Sequence, residues 1–230
     1  MRRARKKKDI DRPKAPPTIV STLRIIAKLG RRKNIDDPTT PIEINMQGLV
    51  TEDEGAIALI KAMKENHVHC SLLNLSMCGL TDLSAIKIAL WLTNDNICKT
   101  LCLQGNHIED NGGAAIAKAL QSNTSLTSLR IENNRLHVVA GNAFAKTLQT
   151  NSTAFRELNL LANPFGSIGI SSIFLSLASN RPRVVSVHLR RCDIDCEAII
   201  ILADALRTNE TITSLDLSAN LIADEGAVGK

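Results

Sequence analysis

The chain has 230 residues, 44% hydrophobic and 22% charged, which fits one globular domain with a continuous core and excludes a membrane-spanning or wholly disordered protein. Its formal net charge is +5, but residues 1–33 carry +11, so residues 34–230 carry −6. Six cysteines follow no disulfide framework and no apolar segment resembles a secretory signal, so we expect a reduced, cytoplasmic environment.

Residues 1–17 are predicted to form a disordered, basic tail, because a dense run of cations is followed by prolines. The cations of the run are Arg2, Arg3, Arg5, Lys6, Lys7 and Lys8. One interpretation is a solvated arm without a partner. The others are a nuclear-import signal or an arm that binds an acidic partner such as tubulin, nucleic acid or an anionic surface.

Residues 18–41 are predicted to contain a short amphipathic helix and a linker. Ile19, Leu23 and Ile26 have the spacing of one helix face, and Gly30 offers a stop. We expect this helix to cover the first of the repeats that follow, since terminal units of a repeat array need a cap. A helix lying on a membrane surface is the alternative.

From residue 42 an eight-residue phrase recurs seven times, with starts 31, 28, 28, 29, 29 and 28 residues apart. The starts are Ile42, Leu73, Leu101, Leu129, Leu158, Val187 and Leu215. Positions 1, 3 and 8 are apolar, and this alternation predicts a short strand with one buried face. Position 6 is predicted to turn inward and form a structural ladder of Cys78, Asn106, Asn134, Asn163, Cys192 and Asn220.

Each phrase is followed by a stretch with one apolar face, such as Ala115, Ile116, Ala119 and Leu120, which predicts a helix. An asparagine three residues after the last Leu is predicted to end each helix in the left-handed conformation. These residues are Asn66, Asn123, Asn151, Asn180 and Asn209. Trp91 is expected to pack in the core between helices.

These motifs resemble leucine-rich repeats, and the 28/29-residue period is similar to that of the ribonuclease-inhibitor-like subfamily. The resemblance implies an α/β solenoid shaped as a horseshoe, with a parallel sheet on the concave side and helices on the convex side. The spacing of the two layers predicts the same shape. Neighbouring strands lie ~4.8 Å apart and packed helices ~8–10 Å apart, so the stack must curve toward its strands. The repeat domain is expected to span 42–230. Its last repeat lacks nearly all of its helix, for which a shortened product, a frayed end and a docking face for another chain are the alternatives.

Positions 2, 4 and 5 of the phrase are expected to line the concave surface. The residues predicted to bind a partner there are Arg130, Glu132, Leu161, His188, Arg190, Arg191 and Asp216. The densest group is His188, Arg190 and Arg191, and arginine is favoured at binding hot spots. Met46 and Met77 are predicted to form an exposed apolar pair. A solvated sheet face without a partner is the alternative at each position.

The sequence contains no set of residues typical of an enzyme. No histidine is spaced recognisably from a Ser or Cys nucleophile, and no phosphate-binding glycine loop is present. Cys192 and Cys196 lack a second ligand pair, so we expect neither metal nor cofactor.

We therefore expect a non-enzymatic scaffold that binds a protein on its concave surface. The resemblance suggests a cytoskeletal or ciliary assembly as its setting. The same family includes regulators of a small GTPase, which is one alternative function. A nucleic-acid-associated, nuclear factor held by the basic tail is the other.

Overall fold

A computed structural model describes residues 41–150, 155–178 and 184–223, in which strands and helices alternate. The strands, named β1 to β7, are Ile42–Asn45, Cys70–Asn74, Thr100–Cys102, Ser128–Arg130, Glu157–Asn159, Ser186–His188 and Ser214–Asp216. The helices, named α1 to α6, are Glu52–Glu65, Asp82–Leu92, Asp110–Leu120, Val138–Thr150, Gly166–Leu177 and Cys196–Leu206. None of these helices is long and apolar enough to cross a membrane. The predicted tail and capping helix lie outside the described residues.

The seven strands form one parallel sheet in which sequence order and spatial order are the same. Parallel neighbours need a crossover connection, and each helix from α1 to α6 supplies one. From β2 to β7 the register is constant: Leu101 pairs with Leu73 on one side and with Leu129 on the other. The result is the α/β solenoid that the sequence predicted, with strands in one layer and helices in the other.

The core lies between the sheet and the helices and consists of aligned apolar columns. Position 1 of the phrase is fully buried at Leu73, Leu101, Leu129, Leu158 and Val187. Position 3 is fully buried at Leu75, Leu103, Ile131, Leu160 and Leu189. Burying one such side chain contributes roughly 1.5–3 kcal/mol, so the two columns stabilise the stack from β2 to β6.

The first repeat starts two residues later than the sequence predicted. Ile44, rather than Ile42, pairs with Leu73, and the strand is irregular between Ile42 and Glu43. A shift of two residues keeps every side chain on its face, so the apolar alternation alone could not exclude the wrong register. In the true register Met46 occupies position 3 and is 1% exposed, whereas Met77 is 54% exposed. The predicted exposed Met46–Met77 pair is therefore wrong.

Small residues let neighbouring helices approach closely. A Cβ atom added at Gly141 of α4 would lie 2.9 Å from Cα of Gly169 in α5. Near the other end of α4, Thr147 Oγ1 donates to the carbonyl oxygen of Ala117 in α3 at 2.7 Å. The position equivalent to Thr147 is Ala62, Trp91, Ala119, Ser176 and Ala205 in the other five described helices. Trp91 is partly buried against the core, and its size is the exception in this column.

The asparagines that follow the helices act through their side chains rather than through a left-handed backbone. Asn66 has φ of −100°, and neither Asn123 nor Asn209 has a positive φ. Asn123 Nδ2 instead donates to the carbonyl oxygens of Leu92 and Asp95 in the preceding repeat, at 2.7 and 2.8 Å. The left-handed prediction is wrong at these three residues, and Asn151 and Asn180 lie outside the described residues.

Candidate functional site: the concave sheet surface

The turns after β1 to β6 are each held by the position 6 side chain of the next repeat. Asn106 Oδ1 accepts hydrogen bonds from the backbone N–H groups of Cys78 and Leu80, at 3.0 and 3.1 Å. Its Nδ2 donates to the carbonyl oxygens of Leu75 and Leu103, at 3.0 and 2.8 Å. An asparagine suits this position because one amide both accepts and donates.

The other ladder asparagines make equivalent bonds one, two and four repeats further on. Asn163 and Asn220 each accept from two backbone N–H groups of the preceding repeat, and Asn134 accepts from one. All three donate to carbonyl oxygens on both sides. Each ladder asparagine therefore joins two neighbouring repeats. It fixes the turns that carry the concave surface.

Cysteine replaces asparagine at two ladder positions, where its thiol donates a weak hydrogen bond. Cys78 Sγ donates to the carbonyl oxygen of Met46 at 3.2 Å, and Cys192 Sγ donates to that of Leu160 at 3.4 Å. Burial raises the pKa of the Cys78 thiol and raises that of Cys192 to about 12. Both thiols therefore stay protonated at neutral pH, which suits a structural donor and not a nucleophile or a metal ligand.

The chain turns sharply at position 5 of every described repeat. The backbone is left-handed at each of these residues: Gly48, Met77, Gly105, Asn133, Ala162, Arg191 and Ala219. Five of the seven have a side chain, which costs free energy in this region. Glycine and asparagine adopt it readily, so Gly48, Gly105 and Asn133 were the signal from which the sequence could have identified this turn.

The predicted partner-binding residues lie on the four adjacent strands β4 to β7 and the turns that follow them. At position 2 the register places Arg130 beside Asn159, Asn159 beside His188, and His188 beside Asp216. At positions 4 and 5, Ala162 N–H donates to the carbonyl oxygen of Arg190 at 2.8 Å, which brings these turns together. The solvent-exposed members of the set are Arg130, Arg190 and Arg191, and the part-exposed members are Leu161, His188 and Asp216.

Glu132 differs from the other members because it is only 9% exposed. Arg130 Nη2 lies 3.1 Å from Glu132 Oε1. The second carboxylate oxygen, Oε2, is buried without a hydrogen-bond partner. Glu132 therefore cannot serve as an open contact and instead holds the Arg130 guanidinium in place.

Ser186, His188 and Asp216 do not form a catalytic triad. Ser186 Oγ lies 3.0 Å from His188 Nε2. The Asp216 carboxylate, however, accepts from the N–H and the hydroxyl of Ser218, at 3.0 and 2.7 Å. These bonds, with smaller contributions from Arg190 and His188, lower the pKa of Asp216, which therefore adds a fixed negative charge beside the basic group. No group of three metal-ligating side chains occurs among the described residues.

A leucine-rich-repeat family model matches residues 99–117 and 208–229. Ribonuclease inhibitor from Sus scrofa is 28% identical over 185 residues, which are 80% of this chain and 41% of that protein. Ribonuclease inhibitor from Mus musculus is 25% identical over the same shares of the two chains. This chain is a leucine-rich-repeat protein, and its repeats are similar to those of the ribonuclease inhibitors.

Two further proteins are similar to this chain. NACHT, LRR and PYD domains-containing protein 5 from Homo sapiens is 30% identical over 80% of this chain and 15% of its own length. A solved structure of Leiomodin-1 Actin-Binding Site 2 matches 69% of this chain and 76% of its own, at 19% identity and a TM-score of 0.47. This leucine-rich-repeat protein spans less than half the length of the curated relatives described here.

A second ladder, which sequence reasoning missed, joins the helix starts of this leucine-rich-repeat protein. Asp53 Oδ1 in α1 accepts from the N–H groups of Thr81 and Ser84 at the start of α2, at 2.9 and 3.2 Å. Asp110 in α3 does the same for α4, accepting from His137 and Ala140 at 2.9 and 2.8 Å. The spacing of Asp53, Asp82 and Asp110, 29 and then 28 residues, was the available signal. These carboxylates offset the orphan N–H groups of the next helix.

Proposed function

We propose that the concave surface of this leucine-rich-repeat protein binds another protein and that the chain acts as a non-enzymatic scaffold. The observation that carries the proposal is the group of exposed Arg190 and Arg191 beside part-exposed Leu161 and Ala162, on one continuous sheet. Arginine flanked by apolar contact area is typical of interface hot spots. Ladders that fix the turns in advance reduce the ordering entropy that binding must overcome.

The relatives support a role in protein binding. Two of them are named as inhibitors of ribonuclease, which is itself a protein. In this chain the cluster of His188, Arg190 and Arg191 favours a partner whose contact surface is acidic and carries an apolar side chain. Asp216 at the edge of the cluster favours a cation at the border of that surface.

The setting remains a prediction. A cytoskeletal or ciliary assembly in the cytoplasm is the one we favour, and binding of tubulin, nucleic acid or an anionic surface by residues 2–8 is a separate prediction. Docking of another chain at the carboxyl-terminal end is also untested. A GTP-hydrolysis assay with and without the protein tests the alternative role as a small-GTPase regulator.

The main test is a quantitative affinity pull-down from native lysate. It compares the intact chain with Arg190→Glu/Arg191→Glu and with the matched control Arg135→Glu/Arg207→Glu. Both control arginines are exposed and form ion pairs, with Glu109 and Asp204, at 3.5 and 3.6 Å. A deletion of residues 1–17 is the third variant.

We expect the concave double substitution to lose a specific protein that the control and the tail deletion both retain. Direct binding of that protein, once purified, must show the same loss. If the concave substitution retains every partner and only the tail deletion loses them, the proposal is wrong and the charged arm carries the interaction.

A further inference from the structure

A groove opens between α1 and α2 on the helical side of the molecule, away from the concave surface. It has a volume of about 700 Å³, within the range of roughly 300–1,000 Å³ found for ligand sites. Buried Ile60 and Met63 of α1 lie on one side, and Leu90 and Trp91 of α2 lie on the other. Leu90 is 59% exposed, so the groove presents apolar surface to solvent.

The groove exists because α2 breaks the small-residue pattern that closes the other helix pairs. Trp91 stands where the other described helices have Ala, Thr or Ser, and Lys87 stands where α3 and α4 have Ala115 and Ala143. Lys87 and Trp91 are four residues apart, so both project from one face of α2. α1 accordingly packs more loosely on α2 than the later helices pack on one another.

The groove is cationic as well as apolar. Lys61, Lys64 and Lys87 line it, and Lys61 is paired with Glu65 at 3.8 Å in an exposed contact of small energetic value. Among the described residues, Lys64 and Lys87 form no ion pair. His67 and His69, in the segment after α1, also line the groove.

Asp95 also lines the groove, and among the described residues it forms no ion pair with these lysines. Its Oδ2 accepts from the backbone N–H groups of Ile97 and Cys98, at 3.0 and 2.7 Å, and so caps a turn of its own segment. An occupant therefore meets the unpaired ammonium groups of Lys64 and Lys87 and the exposed pair of Lys61, around an apolar floor and an indole ring.

We propose that this groove binds an acidic peptide segment of a partner protein, with one apolar side chain packed against Trp91. The carboxylates of such a segment are complementary to Lys61, Lys64 and Lys87, and the apolar side chain covers Leu90 and Trp91. Residues 1–33 of this chain carry +11 and so have the wrong charge to be the occupant. This interaction is separate from the one proposed for the concave surface.

Trp91 is the sole tryptophan of the chain, so its fluorescence reports on this groove alone. The probe is a synthetic peptide with one Leu flanked on both sides by Glu residues. Two control peptides replace the Leu by Ser or the Glu residues by Gln. We expect the probe peptide to shift the Trp91 emission in a saturable way. We expect each control peptide to bind at least about tenfold more weakly than the probe.

Protein variants then test the location, with a fluorescent label on the peptide and anisotropy as the readout. Lys61→Glu/Lys87→Glu should weaken binding by about tenfold or more. Lys118→Glu/Lys146→Glu changes two exposed lysines of α3 and α4 and should leave binding unchanged, as should Arg190→Glu/Arg191→Glu. Circular dichroism melting of each variant confirms that it is folded.

Three results would overturn the inference. The first is the absence of a saturable emission change with the probe peptide. The second is an equal loss of binding in the two lysine double substitutions, which indicates attraction by overall charge. The third is an emission shift produced equally by inorganic phosphate or by raising the protein concentration alone, which assigns the groove to a free anion or to a second copy of the chain.

Discussion

Thr147 of α4 donates its hydroxyl hydrogen to the carbonyl oxygen of Ala117 in α3, over 2.7 Å and across a repeat boundary. The bond shows that adjacent helices approach until a side chain of this size fills the space between them. Thr147 is 3% exposed. Its volume and its hydroxyl group are therefore both constrained.

We predict that Thr147→Leu destabilises the protein more than Thr147→Val, although leucine is the more hydrophobic residue. Valine keeps the shape and loses the hydroxyl group, whose hydrogen is shared between the carbonyl oxygens of Ala117 and Ala143, at 2.7 and 3.0 Å, and we expect a cost of about 1 kcal/mol. Leucine must force the helices apart, at a cost of roughly 1–3 kcal/mol in addition. Urea denaturation gives both values, and exposed Lys146→Leu is the control, with an expected change within about 0.5 kcal/mol. A leucine variant as stable as the valine variant would contradict this account.

The asparagine ladder predicts an unusually large effect for one amide. Asn106→Ala removes the bonds to Leu75, Cys78, Leu80 and Leu103 and leaves buried backbone groups unpaired. We expect a loss of about 3 kcal/mol in the free energy of unfolding. Exposed Asn142→Ala, in α4, should change it by less than about 0.5 kcal/mol. Similar values for the two variants would show that water satisfies the turn as well as Asn106 does.

The aspartate ladder predicts a specific dependence of stability on pH. Burial of Asp53 by itself raises its pKa, but hydrogen bonds from Ser84 and Thr81 outweigh that effect and lower the pKa below its ordinary value. A group whose pKa is lowered by folding stabilises the protein above the unfolded-state pKa of about 3.9. That stabilisation is lost as the pH falls through the lower, folded-state pKa.

We therefore expect the intact chain to be more stable than Asp53→Asn at pH 6, with the difference shrinking as the pH falls below about 4. Urea denaturation at a series of pH values measures it. Glu54→Gln, at an exposed neighbour in the chain, should give a curve parallel to that of the intact chain. A difference between Asp53→Asn and the intact chain that does not change with pH would show that charge on Asp53 is unimportant.

One of the six cysteine thiols should react with a thiol reagent faster than the other five. Cys70, Cys78, Cys98, Cys102 and Cys192 are buried, and Cys196 is partly exposed. In addition, burial is the main cause that raises the pKa of Cys78, Cys102 and Cys192. We expect brief treatment with a maleimide at pH 7 to label Cys196 alone, and all six cysteines to be labelled in urea. Mass spectrometry of tryptic peptides identifies the sites, and Cys196→Ser should abolish the fast reaction.

The sequence predicted the architecture because its periodic apolar positions dictate the buried columns directly. It could not set the register of the first repeat, since Ile42 and Ile44 lie on the same face of one strand. It also missed the burial of Glu132, because alternation indicates only which face a residue occupies. Whether that residue is covered depends on neighbours such as Arg130, which the fold supplies. The sequence identifies Trp91 only as a core residue. Its part in the groove between α1 and α2 follows from comparison with the small residues at equivalent positions of the other helices.

The two ladders have opposite polarity, and this has a mechanical consequence. Each ladder asparagine completes the turn of the repeat before it, whereas Asp53, Asp82 and Asp110 complete the helix starts of the repeat after them. From α4 onward the equivalent of these aspartates is Val138, Ser167 and Cys196. Val138 cannot accept a hydrogen bond, but Ser167 bonds to the carboxylate of Asp195, and Cys196 Sγ accepts from the N–H of Ala223 at 3.4 Å. The second row is therefore interrupted at the boundary between α4 and α5. A force that pulls the described repeats apart is resisted there without that row, by strand pairing, by the Asn163 bonds and by the close packing of Gly141 on Gly169.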